Sequence, residues 1–435
     1  MAAKKKHTPG TYDYIAGLDV GNGYTKGLIA HKDRTDIEAD VVDMPSNSTV
    51  MLSYNKVPVA DKDAMAIVND ERDDFFNNLD VNFSTPLIAD SNRRLLGRHG
   101  LDVAGSMHEQ FQLSTGQTKA NQDLSKIIVL GVLAGKAVKD YVNETGALPS
   151  AARDDSPAAL RVSVVAALAL PIAEYMSHRD SYVASFMGSD QKNPIVHTVT
   201  VGNFETRVTV QIVFKQVKVI AEGASAQYAI TQYGEPLAAE LLQDARHMGM
   251  RLEGIEPADV VGVRSSIGID IGEGTVNFPV FTDGKFNRDA SSSMNRGYGT
   301  VLENTIEKLD SDEFAHSFDS RKKLADFLQR PVSKFQRGDF DKIKMEVDKT
   351  ADLFANEIVM HFEKVFANAR LTEAVYVYGG GASSMRDVLY SKLVAKVQEK
   401  VTGGERPVFY LGDEYARKLN REGLVIAAKG AAKNA

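Results

Sequence analysis

Hydrophobic periodicity changes several times along the chain. In "RVTVQIVF" (207–214) apolar and polar residues alternate, the period of a half-buried strand. "VSVVAALALPIA" (162–173) is the most apolar long stretch, which predicts a buried strand running into a turn; with Pro171 and Glu174 interrupting it, it is too short to span a bilayer. "LSKIIVLGVLAGKAVKDYV" (124–142) carries apolar residues at helical spacing. So do Phe340, Ile343, Val347, Phe354, Ile358, Phe362 and Val365, which predict a long helix over about 339–369 whose apolar stripe is core. Strands are expected at "LRVSVVAALAL", "IVHTVTVG", "ETRVTVQIVF" and "KVIAEG", followed by helical material bent near Gly234 or Pro236. "AVYVYGGGASSMRDVLYSKLVAKV" predicts strand, triple-glycine turn and helix, with Ser383 or Ser384 as the cap. Residues 31–125 are polar and broken by turns, with helical periodicity only around 63–79, and read as an insertion forming a small subdomain.

One pattern occurs twice. "YIAGLDV" and "YTKGLIA" flank Asn22-Gly23, a dipeptide favoured where a two-residue hairpin needs φ > 0 at both central positions. "SIGIDIGEGTVNFPVF" (266–281) again runs strand, aspartate, glycine-flanked turn, strand. Aligned on Asp19 and Asp270, both copies read Asp, β-branched residue, Gly, polar residue, Gly. The economical architecture is an α/β chain of two related lobes, each a mixed sheet with flanking helices. The boundaries suggested are 1–222 for the first lobe, 223–411 for the second with a helical subdomain at about 297–370, and 412–435 as a closing segment.

Composition fits this picture. A chain of 435 residues exceeds the size at which one core keeps growing. The net charge of -7 argues against a nucleic-acid grip spread over the surface, and "KKKH" at the N-terminus reads as a solvated tail. There is no cysteine, which excludes disulfides, thiolate nucleophiles and Cys-ligated metal sites. No apolar stretch follows Lys4–Lys6, so a signal peptide is not expected and a cytoplasmic location is.

The hairpins suggest their own chemistry. Consecutive backbone N–H groups in a glycine-rich turn can receive phosphate oxygens. Gly21, Asn22, Gly23 and Tyr24 would supply one set, and Gly272, Glu273, Gly274 and Thr275 the other. A carboxylate beside a polyphosphate is repulsive unless a cation intervenes, so Asp19 and Asp270 are read as Mg²⁺ partners, direct or through water. Lys26 would neutralise phosphate charge, and Gly379, Gly380 and Gly381 would let a flat ring approach the backbone. Glu222, between a strand and a helix, could orient an attacking water.

"DVGNGYTKG", "IDIGEGTVNF" and "VYGGGASS" resemble, in the right order, the phosphate-1, phosphate-2 and adenosine motifs of the actin, sugar-kinase and chaperone ATPase superfamily. "AALALPIAEY", the stretch from "VTVGNFETRV" to "VIAEGASAQYA", and "DEYARKLNREGLVIAAKG" with its "N-x-x-G" turn resemble the ParM-type bacterial actins. That resemblance implies a two-lobed actin-like fold with the nucleotide in the interlobe cleft. It implies an Mg²⁺-dependent ATPase or GTPase that polymerises and segregates DNA, with Asp19 and Asp270 as metal-associated acids and Glu222 positioning water. The partners implied are other copies of the chain and a DNA-binding adaptor on a centromere-like site, with no direct nucleic-acid or membrane contact. A sugar or carboxylate kinase of the same superfamily is the alternative.

Overall fold

The computed structural model describes residues 8–34, 37–51, 63–70, 74–103, 107–112, 117–150, 157–188, 193–318, 320–400 and 406–433; the N-terminal "KKKH" lies outside them. The chain is mixed α/β and divides into two compact units, one comprising Met1–Leu170, Glu174–Ile220 and Arg421–Ala435, the other Pro171–Ala173 and Ala221–Asn420.

The first unit is built on one sheet, ten-stranded among the described residues. Its strands are β1 (Thr11–Val20), β2 (Tyr24–His31), β3 (Asp40–Pro45), β4 (Asn47–Val50), β5 (Asp80–Ser84), β6 (Arg94–Leu96), β7 (Met107–Gln110), β8 (Leu160–Leu170), β9 (His197–Val201) and β10 (Val208–Ala221). They lie in the order β3-β2-β1-β8-β10-β9-β5-β6-β4-β7, so strands from the 31–125 stretch extend both ends. β1 pairs antiparallel with β2 and parallel with β8, from Thr11↔Arg161 to Leu18↔Leu168. From Val164 onward β8 is continuously apolar and buried, because a central parallel strand is covered on both faces. The helix Asp123–Thr145 covers one face of β1 and β8. On the other face of β1, a Cβ on Gly17 would lie 2.5 Å from the backbone N of Val425, in the helix Leu419–Ala432, so only glycine fits there.

Two expectations change here. "ETRVTVQIVF" and "KVIAEG" are not separate strands but one, Val208–Ala221, half-buried by alternation at its start and fully buried at its end. Pro171 ends β8, but the chain then enters a helix at once, Ile172–Met187, rather than a turn; a proline next to a helix start gives up no ladder bond.

The second unit has its own sheet: β11 (Ser266–Ile271), β12 (Val276–Phe278), β13 (Val280–Thr282), β14 (Lys285–Phe286), β15 (Ser292–Met294), β16 (Ala374–Tyr378) and β17 (Val408–Tyr410). β12 and β13 pair with the same edge of β11 and are parted by Pro279, which has no N–H to offer but whose carbonyl accepts from Gly268 N at 2.8 Å. β16 runs parallel along the other edge of β11, and β17 along β16. The long helix is Arg337–Asn368, with Phe354, Ile358 and Phe362 in the core as the period required. The helix Ala226–His247 breaks at Gly234 (φ 62°, ψ -142°). The helix after the triple glycine begins at Ala382, so Ser383 and Ser384 sit in its first turn instead of capping it. No helix of the described residues is long and apolar enough to cross a membrane.

Candidate nucleotide site

The two hairpins match residue for residue. In the first unit Asp19 pairs with Lys26 and Val20 with Thr25, and Gly21 N donates to Tyr24 O at 3.1 Å. In the second, Asp270 pairs with Asn277 and Ile271 with Val276, and Gly272 N donates to Thr275 O at 2.9 Å. Neither Asn22 nor Gly23 has positive φ, so the Asn-Gly explanation of the first turn is wrong. The glycine requirement is steric and sits one residue earlier. A Cβ on Gly21 would lie 2.7 Å from Tyr24 O, and one on Gly272 3.0 Å from Thr275 O. The match also extends two residues upstream of each aspartate, to Gly17 and Gly268; a Cβ on Gly268 would meet the Tyr378 hydroxyl at 2.2 Å. The longer pattern G-[LI]-D-[VI]-G was therefore available in the sequence.

In the first unit Asp19, Gly21, Asn22, Gly23 and Lys26 are half-buried, and Tyr24 is exposed at the turn. Ser46 pins this turn: its N–H donates to Gly23 O at 2.9 Å and its hydroxyl lies 2.9 Å from that of buried Thr25. Sequence reasoning missed Ser46, which sits in a segment without periodicity.

In the second unit the remaining candidates converge. Asp270 is buried and accepts from Asn420 Nδ2 at 2.9 Å; Asn420 Oδ1 in turn accepts from Ser225 Oγ at 3.2 Å. The other Asp270 oxygen would be 2.4 Å from a Cβ on Gly379, whose φ of 103° already favours glycine. Gly381 N donates to Ile271 O at 2.8 Å, locking the triple-glycine turn, which includes Gly380, onto the strand of Asp270. Tyr378 OH donates to Gly223 O at 2.9 Å. Burial, and then the nearby Asp270 charge, push the Tyr378 hydroxyl well above its ordinary pKa, so it stays a donor.

Glu222 is 9% exposed, and Asn277 Nδ2 lies 3.3 Å from its Oε2. The orientation of the Asn277 amide follows from Ser293, whose hydroxyl donates to Asn277 Oδ1 at 2.7 Å. Thr275 Oγ1 also receives Asn277 Nδ2, at 3.3 Å. The turn carbonyls of Gly272 and Glu273 accept from Tyr298 N (2.9 Å) and Gly299 N (2.8 Å), and the Glu273 side chain faces Arg321 at 3.5 Å. Thus Glu222, Asp270, Gly272–Thr275 and Gly379–Gly381 form one cluster, while Asp19–Lys26 form a group within the first unit. Asn277 and Asn420 were not singled out beforehand. Asn420 begins the "N-x-x-G" stretch, which lies inside the helix Leu419–Ala432 and not in a turn before it.

Among the described residues no group of three or more His, Asp or Glu is placed to hold a metal ion unaided. A divalent cation here would take most of its ligands from phosphate and water, which is how Mg²⁺ is ordinarily held beside a nucleotide. One buried carboxylate, fixed by an amide and flanked by a glycine with no side chain, fits that role.

Residues 268–391 match the family model described as archaeal actin homologue MreB-like, C-terminal. Over nearly its whole length the chain superposes on the actin-like protein Alp7A (TM-score 0.61, 15% identity, 98% of this chain and 97% of that one). The fold is that of the ParM-like actins. The apo ParM protein of pSK41 gives a TM-score of 0.53 at 16% identity, covering 97% of this chain and 99% of that one. Bacillus thuringiensis ParM, solved with ATP, gives 0.55 at 15%, covering 97% and 100%. No curated protein sequence matches. The family-model match to this actin-like chain starts two residues before Asp270 and runs through the triple glycine, so it contains the Asp270 hairpin and Gly379–Gly381.

Proposed function

We propose that this actin-like chain binds and hydrolyses a nucleoside triphosphate and couples the cycle to self-assembly into filaments that position DNA through an adaptor. The observation that carries this reading is the repeated Asp-Gly hairpin, one copy of which converges with Glu222 and the Gly379–Gly381 turn. In the reading, both turns offer backbone N–H groups to phosphate oxygens and Lys26 offsets phosphate charge. Bound Mg²⁺ supplies the positive charge that lets a carboxylate and a triphosphate share one place. Asp270, held by Asn420, orients that hydrated ion, and Asp19 takes the equivalent role in its own hairpin. Glu222, held by Asn277, accepts a hydrogen bond from the attacking water and aims it at the terminal phosphate. Gly379–Gly381 give the base ring access to the backbone. The net charge of -7 supports an adaptor rather than direct contact with DNA.

Phosphate release and pelleting, with ATP and with GTP, test the reading. Turnover that needs no acceptor, and sediment that needs nucleotide, are expected; Asp270→Ala and Asp19→Ala should lose both. Turnover that appears only with a sugar or carboxylate acceptor, without sediment, points to the kinase alternative.

A further inference from the structure

Each hairpin contains an aspartate for which, in the reading above, Mg²⁺ supplies the opposite charge. The second hairpin contains another acid. Glu273 stands between Gly272 and Gly274, where the first hairpin has the uncharged Asn22 between Gly21 and Gly23. A carboxylate in a turn that receives phosphate meets the same repulsion as Asp270 and needs a cation of its own.

The backbone and two glycines lead this side chain to one. Glu273 O accepts from Gly299 N at 2.8 Å, which fixes the turn against the start of the helix Tyr298–Ser311. From there the side chain runs along Gly299: a Cβ at that position would lie 3.1 Å from Glu273 Cγ and 2.8 Å from Arg321 Nη1. A Cβ on Gly297 would lie 2.4 Å from Glu273 O, so this neighbour has no room for a side chain either. At the end of the path Arg321 Nη2 lies 3.5 Å from Glu273 Oε1, and Arg321 Nη1 lies 3.3 Å from Glu303 Oε1. The arginine and Glu273 side chains are only 30% and 34% exposed.

Arg321 also stands against local preference. It opens the helix Arg321–Gln329, N-capped by Ser320, and Lys322 and Lys323 follow it with no acid in the first turn. That end of a helix is its positive end, where Asp or Glu is favoured and a cation is not. Buried Leu324 anchors the turn in the core and keeps the arginine in place. A residue that breaks a local rule at a fixed position is explained by what it meets in the fold.

We infer that Arg321 is a positioning residue of the nucleotide site: it draws the Glu273 carboxylate onto itself and cancels a charge that would otherwise face the phosphates. Glu303 holds the guanidinium from the other side. The inference rests on the nucleotide reading of the Asp270 hairpin. The rival role for Glu273, a further oxygen partner of Mg²⁺, would set a dication in competition with a guanidinium that already faces the same carboxylate.

Calorimetric titration of the full chain with Mg²⁺–ATP and with Mg²⁺–GTP tests this. Arg321→Gln should weaken binding of the nucleotide the wild type takes on the order of 10-fold, because one uncancelled charge then faces the triphosphate. The defect should shrink as salt is raised, since screening acts on that repulsion. Adding Glu273→Gln to Arg321→Gln should restore affinity, and Arg321→Lys alone should keep most of it. Glu273→Gln alone, which touches no buried contact, should bind at least as tightly as wild type. Wild-type affinity in Arg321→Gln overturns the inference and leaves the nucleotide reading intact. So does a loss that Glu273→Gln fails to repair, which would make Arg321 only a brace between helices. Weakened binding by Glu273→Gln alone overturns it too, and makes Glu273 a partner of Mg²⁺. A wild type that binds neither nucleotide sinks the proposed function, and the inference with it.

Discussion

Glu222 and Asn277 form a pair in which one residue would do chemistry and the other would only aim it. Asn277 is fixed by Ser293 on one side and reaches Glu222 on the other, so its amide sets the orientation of the carboxylate. Glu222→Gln should leave nucleotide affinity near wild type and slow hydrolysis on the order of 10²–10⁴-fold. Asn277→Ala should slow it less, in kcat and not in KM, because Glu222 remains but loses its orientation. Single-turnover phosphate release checks both. A rate for Glu222→Gln equal to wild type, with a slightly lowered melting temperature, would make this acid only a partner of the helix dipole, a contribution of roughly 0.3–1 kcal/mol. Nothing in the local sequence marked Asn277, since an asparagine in a strand has no signature until its partners are known.

At the scale of elements, the sequence carried the strands and long helices because each buries a face with its own period. Arg337–Asn368 and Asp123–Thr145 come within a few residues of the expected bounds. The Asp-Gly hairpins were found, but for the wrong local reason: the glycines answer close carbonyl contacts across the turn, which only pairing register reveals. The ion network beneath the first hairpin was illegible for the same reason. Lys136 is 1% exposed and pairs with Asp140 and, at 2.7 Å, with Asp40; Tyr14 OH and His31 Nε2 also reach Asp140. Burial alone would raise the Asp140 pKa, but hydrogen bonds from His31 and then the Lys136 charge outweigh it and hold the carboxyl below its ordinary value. Lys136→Met should therefore cost about 3–5 kcal/mol at neutral pH by taking the cation from buried Asp140, which keeps only Tyr14 and His31. A depressed folded-state pKa contributes stability above the unfolded value and loses it as pH falls through the folded one, so the penalty should shrink below about pH 4. Urea unfolding from pH 7 to pH 3 measures it, and a penalty constant with pH would trace to lost packing instead.

For the whole molecule, the consequence of the proposed site is a stability that depends on ligand and cation together. Anything that binds the native chain and not the unfolded one stabilises it, by about 2.7 kcal/mol at a hundred times its Kd. Asp270 is buried, and bringing a triphosphate beside it without a cation adds like charge in a place water screens poorly. ATP or GTP with Mg²⁺ should therefore raise the melting temperature, and the same nucleotide with a chelator should raise it far less. Two variants separate binding from turnover. Asp270→Asn keeps the shape and the hydrogen bond with Asn420 available but removes the charge; it should lose the Mg²⁺ dependence of the shift. Glu222→Gln should keep the full shift while failing to hydrolyse, and so should hold assembled protein in the pellet longer than wild type. Should nucleotide raise the melting temperature equally with and without Mg²⁺ in the wild type, Asp270 would not be a cation partner. The glycine turns would then bind phosphate through their N–H groups alone.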